Sequence, residues 1–238
     1  MFEALHDSTV LVVGRSSGIA RAIVLACRSH GADVVVAGRH PDELANAYDD
    51  PRITAEAVDL TDDDSIAALA DRVGTLDHVV STASARARGV LGDLQRADVA
   101  RSVDTKVLGP LMLAKALAPR MNPRGSITLF SGVNAFKVNV GYLGVAVTNG
   151  AVDFLTRSLA VELAPIRVNA VSPGVIDTGA WDPLGDNGKQ AFFDHLGATN
   201  PVGRIGSADD VAHAVLFAIT NSFVTGTTLK VDGGEPLI

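Results

Sequence analysis

Thr9-Val10-Leu11-Val12-Val13-Gly14-Arg15-Ser16-Ser17-Gly18-Ile19-Ala20 is the stretch from which the rest of the chain can be read. Five β-branched and aliphatic residues run into a glycine. A polar turn with a second glycine follows, and Ile19, Ile23, Val24 and Ala26 then recur at helical spacing. The pattern spells a buried parallel strand, a tight turn and a helix. Such a turn aims the helix's free N–H groups at the strand's end, where an anionic pyrophosphate can sit. Gly14 lets the chain reverse, and Gly18 lets a phosphate approach the backbone with no Cβ in the way. The spacing is G-x-x-x-G-x-A, not the commoner G-x-G-x-x-G, and two glycines in a turn are weak evidence alone. The strand before, the helix after and the sequence downstream carry the reading.

The chain has 238 residues, a size that open α/β sheets reach as one unit. Hydrophobic residues make up 47% and aromatics only 5%, so the core is built from Ala, Val, Leu and Ile, as in parallel sheets covered by helices. A net charge of −7 argues against nucleic acid or an anionic membrane as the main partner. Cys27 is the one cysteine; it can form no internal disulfide and fits a reducing compartment. Met1 to Leu5 lacks the basic start and apolar run of a signal peptide, and no stretch approaches the ~20 apolar residues of a membrane span. A cytoplasmic protein is expected.

Further strands are expected at 32–39, 53–58, 76–81, 125–131, 166–171 and 227–231. Helices are expected at 41–48, 62–73, 98–121, 144–163 and 208–220, with bending near Gly109 and Pro110 in the third of these. Residues 82–94 read as a loop. Residues 177–201, with Trp181, Phe192, Phe193 and His195, read as an irregular substrate lid. The β-α alternation implies a parallel sheet with right-handed crossovers and both faces covered, and with no repeat or linker the expectation is one domain over 1–238.

Four stretches together resemble the short-chain dehydrogenase/reductase family over nearly the whole chain. They are Val13 to Ala20, Val58-Asp59-Leu60-Thr61-Asp62, Leu159 to Gly174 and Thr225 to Gly234. The resemblance implies a Rossmann-type doubly wound α/β fold, a seven-stranded sheet in the order 3-2-1-4-5-6-7, and a nicotinamide dinucleotide across the strand ends. It places Gly14, Arg15, Ser16, Ser17, Gly18 and Ile19 at the pyrophosphate, Asp59 and Leu60 at the adenine, and Pro173, Gly174, Val175 and Thr178 beside the nicotinamide. Ser81, Thr82 and Ala83 stand where the family has its Asn-Asn-Ala after strand four, and Ala20 replaces a third glycine. Arg39 ends strand two, where an acidic residue would select NAD by its ribose hydroxyl. A guanidinium there, with Arg15 nearby, suits a 2′-phosphate, so NADP is expected over NAD. The bland alternative is a solvated loop arginine.

The family's catalytic groups are absent. Counting from Ala151 to Leu159, the lysine position is Asn149 and the tyrosine position Val145. The serine position is Gly132, with Ser131 one residue early, and the asparagine of the long helix falls on Lys106. Lysine and asparagine have thus exchanged helices. In the family these positions are neighbours behind the nicotinamide, so the exchange implies that Lys106 and Asn149 keep a cation in one cavity, reaching the cofactor ribose or a developing oxyanion. The alternative is a lysine that snorkels to solvent. Tyr142 lies one helical turn before Val145 and is read as a lid or substrate contact. His195 is either a lid acid or solvated surface. Ser131 and Tyr142 complete the candidate catalytic set with Lys106 and Asn149; no metal site is read.

Three functions remain open at this point. One is an NADP-dependent oxidoreductase acting on a small carbonyl, enone, quinone or iminium, whose delocalised acceptor lessens the need for tyrosine. The others are a dinucleotide-binding sensor or partner protein without turnover, and a non-redox isomerase or lyase. The resemblance also implies a homodimer or homotetramer, since helices 98–121 and 144–163 are apolar on more than one face.

Overall fold

Residues 5–238 are described in the computed structural model of this chain; residues 1–4, part of the Met1–Leu5 segment read above for a leader, lie outside them. In chain order the elements are β1 (Thr9–Val13), α1 (Gly18–Ser29), β2 (Asp33–Gly38), α2 (Pro41–Ala45) and β3 (Ile53–Ala57). Next come α3 (Asp63–Arg72), β4 (Leu76–Ser81), α4 (Arg96–Val103), a π-helical turn (Asp104–Leu108), α5 (Gly109–Leu117) and β5 (Met121–Phe130). The last part holds α6 (Leu143–Glu162), β6 (Arg167–Pro173), β7 (Ile176–Asp177), α7 (Gly185–Thr199), β8 (Gly206–Ser207), α8 (Ala208–Thr220) and β9 (Thr228–Val231).

Seven strands form one sheet in the order β3-β2-β1-β4-β5-β6-β9, every pair parallel. Counting main-sheet strands alone, this is the expected 3-2-1-4-5-6-7; β7 and β8 pair only with each other. β1 is central because Val10 to Val13 are buried on both faces, so the strand must have neighbours and helices on every side. It pairs with β2 from Thr9↔Asp33 to Val13↔Ala37 and with β4 from Val10↔His78 to Val13↔Ser81. The sheet separates two cores. Ile23 and Val24 of α1 meet Val215 and Ile219 of α8 on one side; Leu69, Leu113, Leu117, Val152 and Leu159 fill the other.

Local chemistry starts the helices where the chain requires them. Asp62 accepts the N–H groups of Asp64 and Ser65 at the start of α3, and Ser207 and Asp210 form a reciprocal capping box on α8. Each such cap contributes about 1 kcal/mol. At the start of α1, by contrast, Ser17 makes no side-chain cap bond.

Four expectations are corrected. The single long helix of 98–121 is α4, a π-turn and α5, because Pro110 has no N–H to donate and Gly109 N–H reaches back five residues to Asp104 C=O. β5 starts at Met121, not Gly125, and its register with β4 jumps from Leu76↔Met121 to His78↔Ser126, so the strand bulges through the Pro123 region. The lid is helical, a short 3₁₀ segment over Gly179–Leu184 followed by α7. Its glycines Gly185, Gly188 and Gly197 disguised a helix that their backbone can still adopt. α2 stops at Ala45, short of Tyr48.

Candidate active site

The carboxyl ends of β1, β4, β5 and β6 meet along one edge, where a doubly wound sheet binds its ligands. At the β1–α1 turn the backbone is crowded by design. A Cβ on Gly14 would stand 2.3 Å from Thr82 Oγ1 and 2.8 Å from Ala20 Cβ, so only glycine fits. Thr82 holds that position by donating its N–H and its hydroxyl to Val13 C=O, at 2.9 and 3.0 Å. Gly18 has φ +57°, a left-handed conformation that glycine tolerates without strain, and faces Thr178 across the turn. Because Ser17 leaves the first amides of α1 uncapped, those N–H groups point at the turn with no side-chain acceptor. A pyrophosphate fits this cradle. Arg15 and Arg39 are both exposed at its rim, and Arg39 helps hold the Asp59 carboxyl below its usual range.

The adenine positions divide. Asp59 Oδ1 accepts both the N–H and the hydroxyl of Thr61, which lower the carboxyl's pKa first, and Oδ2 makes no hydrogen bond among the described residues. Leu60 is core, and the missing Cβ of Gly109 would meet its carbonyl oxygen at 2.5 Å. What Leu60 offers an adenine is therefore backbone, while its side chain seats α5. Ser81 Oγ is buried without a hydrogen-bond partner, and Ala83 packs on the core. Pro173 ends β6, Gly174 abuts Asp232, and Ile176 ties the following segment to β8.

The chemical end is built around Lys106. Its Nζ donates to Ser131 C=O at 2.9 Å and to Asn149 Oδ1 at 2.5 Å, and the residue is only 7% exposed. The π-turn carries it there, since widening the helix by one residue swings this position toward β5 and α6. Burial pushes the amine's pKa down to about 7, with Arg86 adding repulsion. Asn149 is buried as well, and a Cβ on Gly132 would lie 2.8 Å from its Nδ2. A side chain at position 132 would thus collide with the Asn149 amide. Ser131 Oγ donates to Asn149 C=O at 2.9 Å, which spends the hydroxyl on joining β5 to α6. Val145 is buried and brings no functional group.

Tyr142 sits just before α6, with the Arg88 guanidinium 5.2 Å from its ring centre. Arg88 also lies 5.9 Å from Trp181, which donates its indole N–H to Ile176 C=O and packs 4.8 Å from Phe192. Arg88 and Arg86 were not singled out in the sequence, because a loop of small residues and arginines carries no periodicity. His195 is exposed on α7. Among the described residues no group of ligating side chains could hold a metal ion, and no helix is long and apolar enough to cross a membrane.

Comparison with known proteins agrees with this geometry. A family model described as enoyl-(acyl carrier protein) reductase matches residues 13–235. The short-chain dehydrogenase/reductase ATR9 of Stachybotrys chlorohalonatus is 33% identical, with 97% of each chain covered. A small-chain dehydrogenase solved in complex with NADPH superposes with a TM-score of 0.85 at 32% identity, covering 97% of this chain and 99% of that one. The MalC reductase/Diels-Alderase of Malbranchea aurantiaca gives a TM-score of 0.91 at 30% identity, covering 99% of each. With the strand order, the glycine-lined turn and full-length similarity in agreement, the chain belongs to the short-chain dehydrogenase/reductase family.

Proposed function

We propose that the protein is an NADP(H)-dependent oxidoreductase whose chemistry rests on Lys106 in place of the family's tyrosine. The observation that carries this reading is the buried Lys106 amine, held between Ser131 C=O and Asn149 Oδ1. An ammonium has three donors, and two are used, so one N–H remains for a substrate oxygen. With its pKa near 7 the group can both stabilise a developing oxyanion and release a proton at neutral pH.

The dinucleotide, when bound, supplies or accepts a hydride. The chain supplies the rest. Gly14, Ser16, Ser17, Gly18 and Ile19 hold the pyrophosphate, and Arg15 and Arg39 take the 2′-phosphate. Asp59 and the Leu60 backbone border the adenine; Ser81 to Ala83 and Pro173 to Thr178 flank the nicotinamide side. Residues 177–201 form the lid within a single domain, with Trp181 and Phe192 excluding water. A small conjugated carbonyl is the substrate class that suits a site with no phenol donor. The NADPH complex of the related small-chain dehydrogenase supports the cofactor choice.

A second reading has a specific support. MalC is described as a Diels-Alderase as well as a reductase. A non-redox step in the same pocket, with the dinucleotide kept as scaffold, therefore competes with hydride transfer. The test is NADPH consumption with cyclohexenone, cinnamaldehyde and menadione, alongside calorimetric NADPH binding. Consumption supports the first reading; binding without consumption moves the reading to the second; no binding overturns both.

The assembly reading follows from α6. Leu143, Val147, Phe154 and Val161 are exposed along one helix in steps of about one or two turns. This stripe would be covered in a homodimer or homotetramer. Light scattering giving a 24.6 kDa particle would contradict it.

A further inference from the structure

In this acidic chain most cations with a salt-bridge partner lie away from the strand ends. Arg28 pairs with Asp50, Arg72 with Glu56, Arg120 with Asp71 and Arg204 with Asp210. Cations without a carboxylate partner among the described residues occur in several places, Arg96, Lys115 and Arg124 among them, and five of them stand along the cleft. Arg15, Arg39, Arg86, Arg88 and Lys106 have no carboxylate within ion-pair distance among the described residues. Arg15 and Arg39 are accounted for by the phosphates of the dinucleotide. Arg86 and Arg88 are not, since they follow β4 on the side of Tyr142 and Lys106.

Arg88 is also held in place. Its guanidinium lies over two rings from different elements, Tyr142 at 5.2 Å and Trp181 at 5.9 Å. Trp181 is itself fixed by its bond to Ile176 C=O and by Phe192. Ring faces restrain a guanidinium without using its N–H edge, and among the described residues no acceptor takes that edge. Arg86 stands close enough to Arg88, Arg15 and Lys106 that each repels it. Arg86 and Arg88 are both exposed, so their charges are solvated in the free protein and the N–H edge of Arg88 stays open to an incoming anion.

We propose that Arg88, backed by Arg86, is the receptor for a carboxylate on the substrate, so that the protein acts on flat, unsaturated organic acids. The planar fork takes the carboxylate in two parallel bonds while the apolar body of the acid lies against Trp181 and Phe192. Naming the bound acid as the reacting molecule rests on the oxidoreductase reading above; the anion site itself does not.

Sorbate and sorbamide test this, having the same shape and differing in charge. Binding is measured by calorimetry and by quenching of Trp181, the one tryptophan of the chain, with and without NADPH. Sorbate should bind about tenfold or more tightly than sorbamide. Arg88→Gln should erase that preference and leave NADPH affinity unchanged, whereas Arg88→Lys should keep part of it. Should Arg88→Gln misfold, Arg88→Lys still decides, because a lysine lacks the fork. Equal affinity for acid and amide, no sorbate binding at millimolar concentration, or a preference unchanged in both variants would overturn the proposal. Sorbate binding without NADPH binding would overturn the oxidoreductase reading and leave the acid site standing.

Discussion

The two ends of the cleft were solved in opposite ways. At the proposed phosphate end the backbone would do the binding, and the requirement there is for absence: no Cβ at Gly14, no side-chain cap on α1. At the chemical end side chains would do the work, and there the positions that the resemblance assigns to the family's groups hold other residues, buried and hydrogen-bonded. Lys106, Asn149 and Ser131 satisfy one another, Lys106 and Asn149 at the positions the resemblance gives to an asparagine and a lysine, Ser131 one residue before that of the serine. Backbone geometry tolerates little change without losing the fold. Side-chain chemistry can be rewritten inside it.

If that contrast holds, the largest effect comes from touching the backbone end. Gly14→Val puts atoms where Thr82 Oγ1 and Ala20 already are. It should destabilise the fold by about 1–3 kcal/mol and abolish NADPH binding. Urea unfolding and calorimetry measure the two losses. Binding that survives intact would mean the turn is not the pyrophosphate site.

Next comes a side chain at the same end. Arg39→Ala should weaken NADPH binding by about tenfold to a hundredfold, equivalent to roughly 1.5–3 kcal/mol, and leave NADH unchanged. Equal affinity of the unmutated protein for the two cofactors would remove the case for a 2′-phosphate site.

Smaller per pH unit, an effect should appear at the chemical end as a pH dependence of stability. Burial holds the Lys106 amine near pKa 7, against about 10.4 in an unfolded chain, and the charged group that faces it is Arg86. Between those values the unfolded state binds the extra proton, so stability should rise with pH from about 7 toward 10, by up to ~1.4 kcal/mol per pH unit from this group. Lys106→Met should flatten that rise. A mutant with the wild-type slope would mean that the amine is solvated.

The division also explains what the sequence could say. The strands and the glycine turn after β1 were legible because buried strands, glycine positions and helix starts are local signals, as in Thr9 to Ala20, whereas the strand order came from the family resemblance. The packing of the Leu60 side chain was not legible because it depends on Gly109, distant in the chain. The π-turn was invisible for a related reason: Gly109-Pro110 announces a bend, not its kind. The lid helix hid behind its glycines. Arg88 escaped notice because its partners Tyr142 and Trp181 come from segments 54 and 93 residues further on, and no local pattern joins them. The lysine–asparagine exchange was readable only through the family resemblance, which supplied the knowledge that two helices face one cavity.

Chemistry at this site is proposed to have passed to Lys106, with dinucleotide binding independent of it. The direct measurement is Lys106→Met, followed by NADPH affinity and by NADPH-driven reduction of cyclohexenone in parallel. Methionine keeps the volume and removes the charge and the donors. The account expects affinity within about threefold of the unmutated protein and turnover lower by about a hundredfold or more, the scale of losing one preorganised donor to an oxyanion. Turnover that is undiminished in Lys106→Met, or absent from the unmutated protein while NADPH binds, would contradict it.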